Sequence, residues 1–99
     1  MKVLAFTVAA SADLNGIWDY TEAEWSLAQA RKYTTEIRDA CRALAAGQKR
    51  GRATSARLGY LKYPCGSHVI YFRFHDLGDV LEIVRILHRA QDAERNLHE

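Results

Sequence analysis

Hydrophobic positions keep a helical period through the first half of the chain and an alternating one through the second. Residues 2–8 (Lys-Val-Leu-Ala-Phe-Thr-Val) are apolar on both sides and predict a short, well-covered strand. Ser11 is placed to cap a first helix, whose face is marked by Leu14, Ile17, Trp18, Thr21 and Trp25. Asp13, Asn15, Asp19 and Glu22 occupy the other side. Ser26 through Gln29 reads as a capping box for a second helix, with Trp25 stapled onto Ala30. Ala30, Tyr33, Ile37, Cys41 and Leu44 form that helix's buried stripe, and Gly47 suits the left-handed residue that follows a helix end. Two helices joined almost without a loop fold back as an antiparallel hairpin. Residues 47–56 read as a flexible basic loop.

Beyond that loop the period becomes 2. Strands are predicted over 57–63, ended by Pro64, then over 67–74 and 80–87, with turns at Cys65-Gly66 and at 75–79. Asp92 caps a short final helix running to Leu97. The expected architecture is α+β, in the order β-α-α-β-β-β with a short C-terminal helix, and the helical hairpin covers one face of an antiparallel sheet. The last strand puts Val80, Glu82, Val84, Ile86 and His88 on one side and Leu81, Ile83, Arg85 and Leu87 on the other. Both sides are largely apolar, so the second face needs a cover, either the tail helix or a partner protein. The tail's few large apolar residues favour the partner.

Composition narrows the class. With 99 residues, 48% hydrophobic and 26% charged, the chain reads as one domain over residues 1–99, without room for a second core. Two cysteines are too few for a disulfide scaffold and suit a reducing, cytoplasmic setting. No apolar run approaches a membrane span. The net charge of +2 conceals a basic middle: residues 31–63 hold nine Lys and Arg against two carboxylates. Such a segment attracts a polyanion, either nucleic acid or an acidic protein segment.

Chemistry is sparse. The Gly47–Gly51 stretch lacks the end of a phosphate loop, the four histidines are scattered, and Cys41 and Cys65 have no metal-ligand spacing. No metal or other cofactor is expected. Metal-free RNA cleavage would need a base, an acid and cations, which His88, Arg89, Arg73, Arg57 and Lys62 supply if the strands bring them together. The plainer alternative has His88 bonding backbone at a strand end and Arg85 or Arg73 pairing with Glu82 or Asp76.

Several runs resemble the ParE-type toxins of the RelE/ParE superfamily. They are residues 12–20 (Ala-Asp-Leu-Asn-Gly-Ile-Trp-Asp-Tyr), Trp25 with 28–33, 66–73 (Gly-Ser-His-Val-Ile-Tyr-Phe-Arg), 82–88 (Glu-Ile-Val-Arg-Ile-Leu-His) and 92–97. They span nearly the whole chain in order. The resemblance implies the toxin of a bacterial type II toxin–antitoxin pair, held by a ParD-like antitoxin in a heterotetramer or larger assembly. Freed, such a toxin is expected to bind and inhibit DNA gyrase, with no sequence-specific DNA contact of its own. On this reading Arg31, Arg57, Lys62, Arg73, Val84 and Ile86 meet the antitoxin, and His88, Arg89, Asp92 and Arg95 meet the target. The sister RelE-like branch implies a ribosome-dependent RNase using His88, Arg89, Arg73 and Lys62. The sequence lacks that branch's Arg near His68 and its late Tyr. A basic nucleic-acid-binding module is a third possibility.

Overall fold

The computed structural model describes residues 2–97; His98, one of the four histidines, lies outside them. The elements are β1 (Val3–Phe6), α1 (Val8–Glu24), α2 (Leu27–Ala45), β2 (Arg52–Ala53), β3 (Leu61–Cys65), β4 (His68–His75), β5 (Val80–His88) and α3 (Ala93–Asn96). The strands form one sheet in the order β1-β5-β4-β3-β2, antiparallel except where β1 runs parallel to β5. This is the expected α+β layout, with the first strand in the sheet and both long helices on one face.

The first strand ends earlier than its apolar run suggested. Thr7, not Ser11, caps α1: its Oγ1 accepts from the Ala10 N–H at 3.0 Å and donates to the Val84 carbonyl at 2.7 Å. One hydroxyl therefore closes a helix end and ties it to β5. At α2 the sequence signals hold. Ser26 Oγ accepts from the Gln29 N–H, and Gly47, at φ 77°, lets the Gly47 and Gln48 N–H groups return to the Leu44 and Ala43 carbonyls.

The third strand is displaced. Residues 54–60 make tight turns rather than a strand, the Thr54 N–H bonds the Tyr60 carbonyl, and β3 starts only at Leu61. It then continues through Pro64, because β2 reaches only Leu61 and Lys62 and Pro64 sits where no outer partner needs its N–H. Part of the expected basic loop is thereby a two-residue strand.

A bulge corrects the reading of β5. Phe72 pairs with Ile83 but Tyr71 pairs with Arg85, so Val84 is an extra residue and every side chain beyond it changes face. Leu81, Ile83 and Ile86 all join the core beneath the helices, with Leu14, Ile17, Ile37, Cys41, Leu44, Ile70 and Phe72. Val84 and Leu87 turn to the other face, where they meet Tyr60, Tyr71 and Leu97. The bare second face expected from the sequence is therefore covered in its centre by the chain itself. Leu97 is 2% exposed, and Arg57 Nη1 holds its carbonyl at 2.8 Å. Val84 and Ile86, read as surface, are 4% and 2% exposed. No helix among the described residues is long and apolar enough to cross a membrane.

Past Phe6 the outer edge of β5 has no neighbouring strand, and α1 takes its place. Asp13 Oδ2 accepts from Arg85 Nε at 2.8 Å and from the Ile86 N–H at 2.9 Å, while Oδ1 accepts from Arg85 Nη2 at 2.9 Å. Arg85 Nη1 also reaches the Asn96 carbonyl at 3.2 Å, so the pair joins α1, β5 and α3. Asp13→Ala leaves both a backbone donor and a largely buried guanidinium without their acceptor, an expected loss of about 2–3 kcal/mol in urea unfolding. Leu97→Ala opens the second core, at about 2–5 kcal/mol by the same measurement.

Candidate functional site

Small residues on α1 make room for a cleft. Ala12 and Gly16 face the ends of β4 and β5, and a Cβ built on Gly16 would meet nothing within 4 Å. The cleft has a volume of about 730 Å³, with Trp25, Tyr20 and Tyr33 on its aromatic side and His68, His88 and Ile86 on the sheet side. Trp25 does not staple α2; it is 75% exposed, and Tyr20 is 66% exposed. The helix-to-helix turn is so short that the indole projects over the cleft mouth.

The polar centre of the cleft is an imidazole pair. His68 and His88 lie directly opposite each other on β4 and β5, with ring centres 5.4 Å apart and planes at 88°. The Tyr33 hydroxyl accepts from the Ser67 N–H at 3.0 Å and contacts His68 Nδ1 at 2.6 Å. The same hydroxyl also reaches the Cys65 carbonyl at 3.4 Å, so the phenol ties the β3–β4 turn to the His68 ring and fixes its orientation. Gly66 makes this contact possible. At φ 61° it suits the hairpin turn, and a Cβ there would stand 2.7 Å from Tyr33 Cε1 and 2.8 Å from its hydroxyl.

Burial holds the His68 imidazole below its usual pKa, the neighbouring His88 adds to that, and Asp13 opposes it. Burial also raises the Tyr33 hydroxyl, against the Ser67 hydrogen bond and the Arg89 charge, so the phenol keeps its proton. His88 is exposed at the mouth; its Nδ1 accepts from the Ala90 N–H at 3.1 Å, and its own N–H donates to Gln91 Oε1 at 2.8 Å. The site combines a neutral, oriented imidazole, a second exposed one and an aromatic wall.

The residues singled out from sequence are divided among three places. His88 and Arg89 stand at the cleft end, followed by the tail, where Asp92 is occupied in capping α3 through the Glu94 N–H and Arg95 is exposed. Lys62 and Arg73 project from the opposite face of the sheet, the side of Tyr71. Arg73 Nε bonds Glu82 Oε1 at 3.0 Å, and both Arg73 and Arg57 lie over the Tyr60 ring, at 5.3 and 4.9 Å. Arg31 is exposed on α2, away from that cluster. The RNase set His88, Arg89, Arg73 and Lys62 is thus not assembled in one place. Sequence reasoning overlooked Tyr33 and Trp25 as site residues; both looked like stripe positions. Cys41 is buried, its thiol pushed up to about 12 by desolvation, which leaves no nucleophile there. No group of three or more His, Cys, Asp or Glu among the described residues is arranged to hold a metal.

A family model described as the ParE toxin of the type II toxin–antitoxin system parDE matches residues 4–93. Toxin ParE1 of Mycobacterium tuberculosis is 40% identical over 90 residues, covering 90% of this chain and 91% of that protein. Toxin ParE1 of Caulobacter vibrioides is 34% identical over 98 residues, covering 98% and 99%. Among solved structures, the chromosomal ParDE toxin–antitoxin system from P. aeruginosa superposes with a TM-score of 0.77 at 26% identity, covering 89% of this chain and 96% of that one.

In NMR titrations the His68 midpoint is expected below that of an ordinary histidine, and His88→Ala is expected to raise it by removing that neighbour's contribution. Because the folded-state value lies below the unfolded one, His68 contributes stability that is complete above about pH 6.5 and declines as pH falls below it. Urea midpoints measured from pH 8 to pH 5 check the sign, and His68→Gln is expected to remove this contribution.

Proposed function

The chain belongs to the ParE toxin family of type II parDE toxin–antitoxin systems, and we propose that it arrests growth by binding DNA gyrase, without cutting a substrate, until a ParD-like antitoxin neutralises it. One observation carries the binding mode: of the cations in the phosphodiester-cleaving set, Lys62 and Arg73 stand on the face of the sheet opposite the imidazoles, and Arg89 alone of that set stands beside them. Lys62 and Arg73 cannot stabilise a transition state formed between His68 and His88. His88, Arg89 and Arg95 are instead each exposed, at the cleft and along the tail, where they are available for docking on a protein target.

The antitoxin, on this reading, approaches the basic parts of the molecule. Arg57, Lys62 and Arg73 gather on the second face, and their charge favours an acidic segment in a hetero-oligomeric complex. The buried Val84 supports that face from within, whereas Ile86 belongs to the core on the helix side. A second reading, ribosome-dependent RNA cleavage, draws on the adjacency of His68, His88 and Tyr33 with Arg89 beside them.

His88→Gln retains a hydrogen-bonding side chain but cannot exchange protons near neutrality. Binding to gyrase predicts that this variant keeps inhibition of supercoiling within a few-fold, whereas an RNase would lose about 100-fold or more of its cleavage rate. Arg89→Glu combined with Arg95→Glu is expected to weaken gyrase inhibition at least tenfold. Supercoiling assays run beside cleavage assays on translating ribosomes read both outcomes; cleavage abolished by His88→Gln would replace the proposal with the RNase reading.

A further inference from the structure

A second hollow lies at the far end of the sheet, away from the imidazole cleft. It forms where α2 ends and the chain reverses at Gly47 before descending to β2. Leu44, Leu61, Phe72 and Phe74 make a carbon floor, and the hollow measures about 320 Å³. At roughly 30 Å³ per water, that is the space of about ten waters, enough for one large side chain. Gly51 forms part of its wall by lying directly on Phe72, since a Cβ there would stand 2.5 Å from the ring. Phe74 meets Phe72 edge to face at 5.9 Å yet is 43% exposed.

The rim is uniformly positive. Lys2, Lys49 and Arg50 surround the floor, and among the described residues no carboxylate lines it. Lys2 Nζ hangs 5.4 Å over the Phe74 ring and donates to the Gly78 carbonyl, and Lys49 lies 5.5 Å over Tyr63. Among the described residues none of the three cations makes an ion pair. On the other face of the same sheet edge, Arg52 and Lys62 stand directly opposite on β2 and β3, a like-charge cross-strand pair that extends the positive charge around that edge. The edge presented there is a strand only two residues long.

We propose that this hollow receives a large apolar side chain carried between carboxylates on an acidic segment of the neutralising partner, an inference that rests on the antitoxin reading above. A carbon floor offers no partner to the polar edges of a nucleobase, so burying one there would leave those edges unsatisfied, while an aromatic or aliphatic side chain loses nothing. The cation rim supplies the complement to the flanking carboxylates. The acidic residues of α1 are fixed in a helix, and α3 is fixed on the opposite face, so neither supplies the occupant.

The test coexpresses the chain with the product of the reading frame beside its gene and compares three variants that are each toxic alone and natively folded by circular dichroism. Lys49→Glu with Arg50→Glu, and separately Phe74→Ala, are expected to escape neutralisation and bind the partner at least tenfold more weakly, while Lys32→Glu on α2 is neutralised like the parent. Equal neutralisation of all three overturns the hollow and leaves the proposed function standing. Failure of the neighbouring product to neutralise the parent chain overturns the antitoxin reading itself. Independently of that product, a labelled Glu-Asp-Phe-Asp-Glu peptide is expected to bind at least tenfold more tightly than its Ala-centred counterpart and to shift the amides of Leu44, Leu61 and Phe74. Equal binding of the two peptides, tighter binding of an oligouridylate, or concentration-dependent self-association lost in the Lys49/Arg50 variant would each overturn the proposal.

Discussion

The geometry of the molecule depends on one carboxylate at an interrupted sheet edge. β1 accompanies β5 only as far as Ile83, and beyond that the backbone of β5 would face outward with nothing to bond. Asp13 takes up the Ile86 N–H and, with the same group, the Arg85 guanidinium, whose remaining arm reaches the tail. A helix thereby substitutes for a strand. The arrangement places α1 alongside the His88 end of β5, and it is this offset that leaves a cleft there rather than a closed core. Most polar edges are covered by other backbone; here a side chain does it, and the same oxygen atoms reach both the fold and the electrostatics of His68.

The bulge and the tail act together. Without the extra residue at Val84, strict alternation would send Arg85 toward the helices and Ile86 to the other face. With it, Ile86 remains in the main core and Arg85 is free to reach the edge. Val84 and Leu87 then require a second core, provided by the 54–60 turns and by α3. A chain of this size has little apolar surface to spare, and its two small cores share β4 and β5 as a common wall. What stays exposed is correspondingly specific: an aromatic cleft mouth at one end and a cation-rimmed hollow at the other.

Much of this was legible in the sequence. Ser26 and Gly47 bracket α2 because each performs a local task that few residues perform, and the β4–β5 hairpin follows from its alternation. Local signals misled where two residues could do one job: Thr7 and Ser11 are both good caps, and only the reach of Thr7 to Val84 decides between them. The alternation from Leu81 to Leu87 gives no sign of the bulge, which belongs to the pairing with β4. Leu97 looked too solitary to cover a sheet face, yet Tyr60, Ala56 and Ala93 complete its surroundings. The site shows the same limit. His68 and His88 were visible singly, but their adjacency is a matter of register, and the partner of the Tyr33 hydroxyl lies 35 residues away. Nonlocal contacts of that kind are not written in any window of sequence.

The parallel pairing of β1 with β5 has a consequence for the order of events during synthesis. The first strand is made well before β5, its hydrogen-bonding partner, and the contacts of Thr7 and Asp13 also wait for that strand. Until then the helical hairpin can form locally while its apolar side has no sheet to rest on. Assembly of the sheet is thus deferred until β5 has been made. A chain cut short before β5 therefore carries an opening strand with nothing to join.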